Sequence, residues 1–300
     1  MLSSMTARPD LRPELSQAST RFTHRVTVVD EYGQPREVEM PAERDLTLYL
    51  DRRELVTLMT MGAHPELLAL GYLKNQRLVP GIEHIASVQV DWEVNACAIT
   101  TRGGVPDLEA RTARRIVTTG CGQGTVFGGL MDEIDQIRLG DTRISQSTLY
   151  DLLDAMRRHD TIYKSAGSVH GCALFAGSEL LLFTEDVGRH NALDAIAGWM
   201  WLHAVEGRGK ILYTTGRLTS EMVIKAAQMG VAIVVSRSGI TEMGHRLAVQ
   251  LGMALFARCT QRHFLLYCGQ ERFIAEPDLV PPAPQPWTPQ ERRSAPGRQG

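Results

Sequence analysis

The chain has 300 residues, 43% of them apolar, with a formal net charge of -2. That apolar content suffices for one large core or two smaller ones, and the mixed charge excludes a general attraction to nucleic acid or anionic membranes. Any anionic ligand must be held by local groups.

In chain order, residues 1–20 are rich in Ser, Thr, Pro and charge and read as a loose tail. An N-terminal α+β domain is expected over 21–140. From Asp45 the runs Leu-Thr-Leu-Tyr-Leu and Glu54-Leu-Val-Thr-Leu-Met-Thr-Met flank a charged turn at Asp51-Arg-Arg and predict the hairpin that starts the fold. His64 to Leu73 is helix-like with Pro65 in its first turn, and strands are expected over 85–92 and 96–101. The segment Val117-Thr-Thr-Gly-Cys-Gly-Gln-Gly-Thr-Val-Phe-Gly-Gly129 is a Gly-rich loop around Cys121. A second, layered α/β domain is expected over 141–275, opened by a helix with Leu149, Leu152, Leu153 and Met156 on one face behind Ser145 or Ser147. Strands at 172–176, 179–184, 210–214, 231–236 and 253–257 alternate with helices near 189–204, 219–229 and 241–251, and Gly230 and Gly252 fall where helix ends are expected. One more strand follows at 263–268, then a Pro-rich tail over 276–300. The most apolar run, Ile196 to Val205, is short and broken by Gly198 and His203, so no membrane span is expected. The five cysteines (97, 121, 172, 259 and 268) are odd in number and widely spaced, no secretory signal is visible, and a reducing cytoplasm is the expected compartment.

Glycines at 120, 122 and 124 permit positive φ and uncover the thiol of Cys121, so the loop can carry it to a partner and withdraw it; a Gly-rich surface turn with an incidental thiol is the alternative. The densest polar block is Thr184-Glu-Asp-Val-Gly-Arg-His-Asn-Ala-Leu-Asp194, where a strand ends and a helix starts. Such a junction offers unpaired N–H groups, so Arg189, His190 and Asn191 could hold a phosphate or a purine edge, whereas capping alone would explain only Asp186 or Asn191. Thr214-Thr-Gly-Arg-Leu-Thr-Ser-Glu221 repeats the arrangement with Arg217, with a turn capped by Thr219 as the plainer reading. His170 could be a base, a ligand contact or a core histidine. Neither block is a Walker loop or a dinucleotide fingerprint. The His-x-Glu and Pro-Cys-x-x-Cys elements of a zinc deaminase are absent, so neither a structural nor a catalytic metal is expected.

Taken together, Gly120-Cys-Gly, Ser168-Val-His170, Glu185 to Asp194, Gly216-Arg217 and Phe256-Ala-Arg258 resemble the formate dehydrogenase accessory sulfurtransferase family, FdhD, over about Asp45 to Tyr267. The resemblance implies a cytoplasmic, usually homodimeric protein whose second domain is cytidine-deaminase-like without deaminase chemistry. It implies that sulfur is taken as a persulfide from a cysteine desulfurase and passed to the molybdenum cofactor, bis(molybdopterin guanine dinucleotide), as bound substrate, for formate dehydrogenase. By that likeness Cys121 carries the persulfide, and the cofactor stretch corresponds to Phe256, Ala257, Arg258, Cys259, Thr260 and Gln261. The upstream residues His170, Asp186, Arg189, His190, Asn191 and Arg217 would hold the guanine nucleotide ends, and a free guanine nucleotide would mimic them. Several positions depart from the family: Gly124 stands where a second loop cysteine is common, Ser168 replaces Gly, Ala195 replaces Lys, and Ser238-Gly-Ile-Thr241 replaces Ser-Ala-Pro-Thr. Without the second thiol, a chaperone that binds the cofactor but transfers no sulfur is the alternative function.

Overall fold

The computed structural model describes residues 11–18, 20–106, 108 and 134–279. The loop carrying Cys121 lies outside them, as does most of the Pro-rich tail. One sheet runs in the order β1 (Glu14–Leu15), β6 (Ile85–Asp91), β7 (Ala96–Thr101), β4 (Arg44–Leu50), β5 (Arg53–Thr60), with α1 (Pro65–Asn75) packed on it. Alternate residues Leu46, Leu48 and Leu50 turn inward against Leu68 and Leu73 of the helix. The predicted hairpin is β4–β5, and Asp51 and Arg52 take φ of 47° and 71°, the left-handed pair that a tight two-residue turn needs.

Two features precede that hairpin. The described part of the expected loose tail is fastened down: β1 lies parallel to β6, and Glu66 of α1 accepts hydrogen bonds from Ser16 Oγ and Ala18 N, both at 2.6 Å. Trp92 Nε1 adds a bond to the Ala18 carbonyl at 3.1 Å. Ser16 and the backbone of Ala18 dock this stretch, because each supplies a donor or acceptor to Glu66 or to the β6 end at Val90 and Trp92. A second hairpin, β2 (Thr23–Val29) with β3 (Pro35–Pro41), then comes before β4, tied across its strands by Arg25–Glu39 at 3.2 Å.

The larger sheet has the order β10 (Glu179–Asp186), β9 (His170–Ala176), β11 (Lys210–Thr214), β12 (Ile233–Ser236), β13 (Ala254–Thr260), β14 (His263–Cys268). Its inner strands, β9, β11, β12 and most of β13, are buried on both faces. Ala173, Phe175, Ile211, Tyr213, Ile233 and Val235 face α2 (Gln146–Arg158), while Cys172, Leu174, Leu212, Val234 and Leu255 face the opposite side. That second side is covered by α4 (Arg189–Leu202), α5 (Ser220–Gln228) and α6 (Glu242–Gln250), giving the three-layer α/β arrangement that the strand–helix alternation predicts. Ser145 caps α2 by accepting from Thr148 N, and Gly230 and Gly252 take φ of 77° and 63° just past α5 and α6. The short pair β8 (Ile144–Ser145) and β15 (Phe273–Ile274) closes the unit. No helix among the described residues is long and apolar enough to cross a membrane.

The two sheets meet where α1 crosses α4. A Cβ added at Gly71 would lie 1.7 Å from the Asp194 carbonyl oxygen, and one at Gly198 would lie 1.9 Å from that of Leu67. Two helix-interior glycines therefore let the backbones touch, which outweighs their usual cost in a helix of up to about 1 kcal/mol each. Below the crossing, buried Asp194 accepts from Asn75 Nδ2 at 2.6 Å and from Lys225 Nζ at 2.8 Å, joining α1, α4 and α5 through one carboxylate.

Candidate functional site at the carboxyl edge of the sheet

Strands β11, β12 and β13 are mutually parallel, and β10 runs with them because both β10 and β11 are antiparallel to β9. The carboxyl ends of four strands therefore share one edge. Asp186, Thr214, Ser236 and Thr260 all lie there, along with the start of β9 at His170. Ligands of layered α/β folds bind outside this edge, where loops leave the strands and helices begin. Sequence motifs up to about 90 residues apart are thus brought to one place, and the edge divides into two parts on opposite faces.

On the face of α4 and α5 lies a cationic crevice. Arg189 and His190 open α4 and are buried, Arg217 is exposed in the turn before α5, and His170 is half-buried. Gly216 fits against Arg189: an added Cβ would come within 3.0 Å of that side chain. Neither helix start is capped by a side chain, at Gly188 or at Thr219. Thr219 thus does not make the cap that the plainer sequence reading supposes; its buried Oγ1 has no hydrogen-bond partner, nor do Arg189 Nε or the two ring nitrogens of His190. Uncapped helix starts leave N–H donors free and carry positive partial charge, so the crevice suits an anion.

Titration in this crevice has one sign. Burial, followed by the charges of Arg189 and Arg217, lowers the His170 pKa. Burial, followed by Lys225, Arg189 and His170, lowers that of His190 to about 2, although Glu221 Oε2 is 3.5 Å from its Nε2. The folded His190 pKa is below the unfolded value of about 6.5, so the unfolded chain binds the extra proton and stability falls as pH drops below that value. The expected loss is roughly 1.4 kcal/mol per pH unit from this one group. In urea titrations between about pH 6.5 and pH 5, His190→Gln should flatten the stability slope relative to wild type. Parallel slopes would contradict the assignment.

Asp186 and Asn191 are placed differently from their neighbours in the block. The Asp186 carboxylate accepts from Thr60 Oγ1, Met61 N, Gly188 N and Asn191 Nδ2, and Asn191 Nδ2 also reaches the Met59 carbonyl at 2.7 Å. Their polar atoms fasten β5 to the start of α4. They position Arg189 and His190.

On the face of α2 the same edge holds a cavity of about 230 Å³. Its apolar floor includes Met156, Phe183 and Tyr213, and its rim includes Tyr163, Arg237 and Gln261. Three residues of the predicted stretch, Cys259, Thr260 and Gln261, line it. Arg258 and Gln261 take φ of 53° and 52°, breaking the β13–β14 register and turning the strand end toward the opening. Phe256 and Ala257 lie beneath in the core, where the Phe256 ring packs edge-on against Phe264 and Phe273, each 5.6 Å away; Arg258 is exposed at the bulge. One wall is α3 (Ile162–Ala166), capped by Thr161 and held by Glu185, whose carboxylate accepts from Ile162 N at 2.6 Å and Tyr163 N at 3.1 Å.

The sequence reading missed Arg237, Tyr163 and Tyr213. Arg237 follows β12 as Arg217 follows β11, so a second strand–Arg–turn was visible in Ser236-Arg-Ser238; without a glycine it did not stand out. Four cysteines are described, and all are buried. Burial drives Cys97, Cys172 and Cys259 to about 12 and raises Cys268, so none is a thiolate at neutral pH.

Residues 41–274 match the model of the FdhD/NarQ family. The chain belongs to that family. Among proteins of known name, it is 29% identical over 245 residues to the sulfur carrier protein FdhD of Bacillus subtilis, covering 81% of this chain and 94% of the relative. It is 28% identical over 235 residues to that of Bacillus pumilus, covering 78% and 90%, and 25% identical over 252 residues to that of Halalkalibacterium halodurans, covering 83% and 93%. A solved structure from Desulfotalea psychrophila, assigned as a formate dehydrogenase accessory protein, superposes with a TM-score of 0.67 at 23% identity, over 84% of this chain and 98% of that one. That likeness establishes a shared FdhD-type fold.

Proposed function

We propose that this FdhD-family protein is a sulfur carrier in formate dehydrogenase maturation, taking a persulfide from a cysteine desulfurase on Cys121 and delivering the sulfur to bis(molybdopterin guanine dinucleotide). The observation that carries the reading is the division of labour among the cysteines. The four described thiols are buried and protonated, while Cys121 is flanked in sequence by Gly120 and Gly122 with no apolar neighbour that would call for packing. In the uptake step the Cys121 thiolate attacks the outer sulfur of the donor's persulfide; the donor S–S bond breaks, the donor leaves as a thiolate, and Cys121 holds the new S–S bond. The names of the relatives support the sulfur-carrier role. The cationic crevice supports an anionic, nucleotide-bearing cargo, with Arg189, Arg217 and the starts of α4 and α5 meeting phosphates. A cytoplasmic homodimer is the proposed working form.

Gly124 favours a second reading, because release cannot be driven by a disulfide inside the loop: a chaperone that holds the cofactor for formate dehydrogenase without transferring sulfur. Activation of the apo-dehydrogenase by Cys121→Ala separates the two. The carrier reading predicts complete loss of activation with cofactor binding kept; activation at the wild-type level would establish the chaperone instead.

A further inference from the structure

The two free edges of the β2–β3 hairpin are unlike. Its ladder is fixed by Ala42 N bonding the Phe22 carbonyl at 2.7 Å and Asp30 N bonding the Gln34 carbonyl at 3.0 Å, so the even-numbered residues of β2 point their backbone groups across to β3. The odd-numbered residues turn theirs outward. On β3 these are Pro35, Glu37, Glu39 and Pro41: the prolines have no N–H to offer and the glutamates are charged, which guards a strand edge. β3 also lies beside α3. On β2 they are Thr23, Arg25, Thr27 and Val29, each with an N–H, and among the described residues none of these four N–H groups has a partner.

A ribbon of two strands is at best marginally stable in water, and three or more are the ordinary minimum. One face of this ribbon carries Val26, Val28, Val38 and Met40, and its tip carries Val29 at 71% and Tyr32 at 75% exposure. The tip is nonetheless stiff, because the Asp30 carboxylate accepts from Tyr32 N, Gln34 N and Arg36 Nε. An ordered, open edge beside apolar side chains is the template that strand addition uses.

The sequence of β2 is complementary to itself. If a second β2 lies antiparallel with its Thr27 opposite Arg25 and its Val29 opposite Thr23, all seven residues pair and the outward N–H and C=O groups of the two copies meet. Val26 then faces Val26 of the second copy at the two-fold axis, and the row Val38–Val26 runs on into the same row of the second copy. Arg21 at the base of one hairpin comes to Glu31 at the tip of the other; neither has an ion pair among the described residues. The neighbouring registers are worse. One is centred on Arg25 and opposes two arginines, and the other is centred on Thr27 and carries Thr23 and His24 past the end of the second strand.

We propose that β2 pairs with β2 of a second copy of this chain, joining the two hairpins into one four-stranded antiparallel sheet. β2 and all of β3 but Pro41 precede residues 41–274, so this contact lies outside the stretch matched by the family model. The sulfur-carrier reading rests on Cys121 and is decided separately.

The test is register-specific cross-linking of the full-length protein. In a Cys121→Ala background, Val26→Cys is expected to give a disulfide-linked dimer on mild oxidation, since the Cα atoms of such a non-hydrogen-bonded pair lie about 4.5 Å apart, within disulfide reach. Thr23→Cys should give none, because the two copies of that position would be separated by the length of the strand, roughly 20 Å. Without cross-linking, Thr27→Pro removes an outward N–H and leaves the β2–β3 ladder intact. In protein shown folded by its melting curve, it should weaken association by about 10- to 100-fold and halve the mass measured by sedimentation; Thr27→Ala, which keeps the N–H, should do neither. No disulfide from Val26→Cys, equal cross-linking from Thr23→Cys, or an assembly mass unmoved by Thr27→Pro would overturn the proposal.

Discussion

Iodoacetamide applied to the native protein at neutral pH is expected to modify Cys121 and to spare the other four cysteines. Cys97, Cys172 and Cys259 have no more than trace exposure, and burial lifts each thiol from 9.0 to about 12. Only the thiolate reacts, so three pKa units cut their reactive fraction by roughly a thousandfold before access is counted. Cys268 is raised as well and is 5% exposed. Cys259 is the stringent case, because it lines the cavity and a small reagent can approach it; its protection rests on the protonated state. Peptide mapping after a short exposure should find the label on the tryptic peptide holding Cys121. Comparable labelling of any other cysteine would remove the argument by which a lone loop thiol is singled out.

The largest expected effect on stability is that of Lys225→Ala, a loss of about 3–5 kcal/mol. Lys225 and Asp194 are 2% and 0% exposed in their side chains and 2.8 Å apart. Burial pushes the Asp194 carboxyl upward, against the pull of Lys225 and the hydrogen bond from Asn75. Removing the lysine leaves a carboxylate inside the protein that must be protonated or stay uncompensated, and the join between α1, α4 and α5 loses one of its two donors. Replacing both partners by apolar residues of similar size, Asp194→Leu with Lys225→Met, should recover much of the loss, because the desolvation cost disappears with the charges. Urea denaturation of the two variants decides the point. A single-variant loss below about 1 kcal/mol would mean the pair is wetter than its burial implies.

The sheet-and-helix alternation of the second half was readable because its inner strands are apolar on both faces and α5 and α6 end in glycines, so period and punctuation agree. What stayed hidden was long-range or short-lived along the chain. Asp186 and Asn191 look like ligand residues in sequence, yet they spend their polar atoms on Thr60, Met61 and Met59, 125 to 132 positions upstream, which no local pattern reveals. The docking of residues 14–18 likewise depends on Glu66. α3 has five residues, too few for a helical period to show, and so Tyr163 and the wall it forms were missed. Residues 256–261 split in a way that strand alternation explains only afterwards: Phe256 and Ala257 are core, and past the bulge Cys259, Thr260 and Gln261 face the cavity.

The central claim is tested most directly by intact-protein mass spectrometry after incubation with a cysteine desulfurase and cysteine, followed by peptide mapping. The account predicts a single added sulfur, on the peptide holding Cys121, removed by a reducing thiol and absent in Cys121→Ala. An unmodified wild-type protein, or a sulfur adduct that persists in Cys121→Ala, would contradict it.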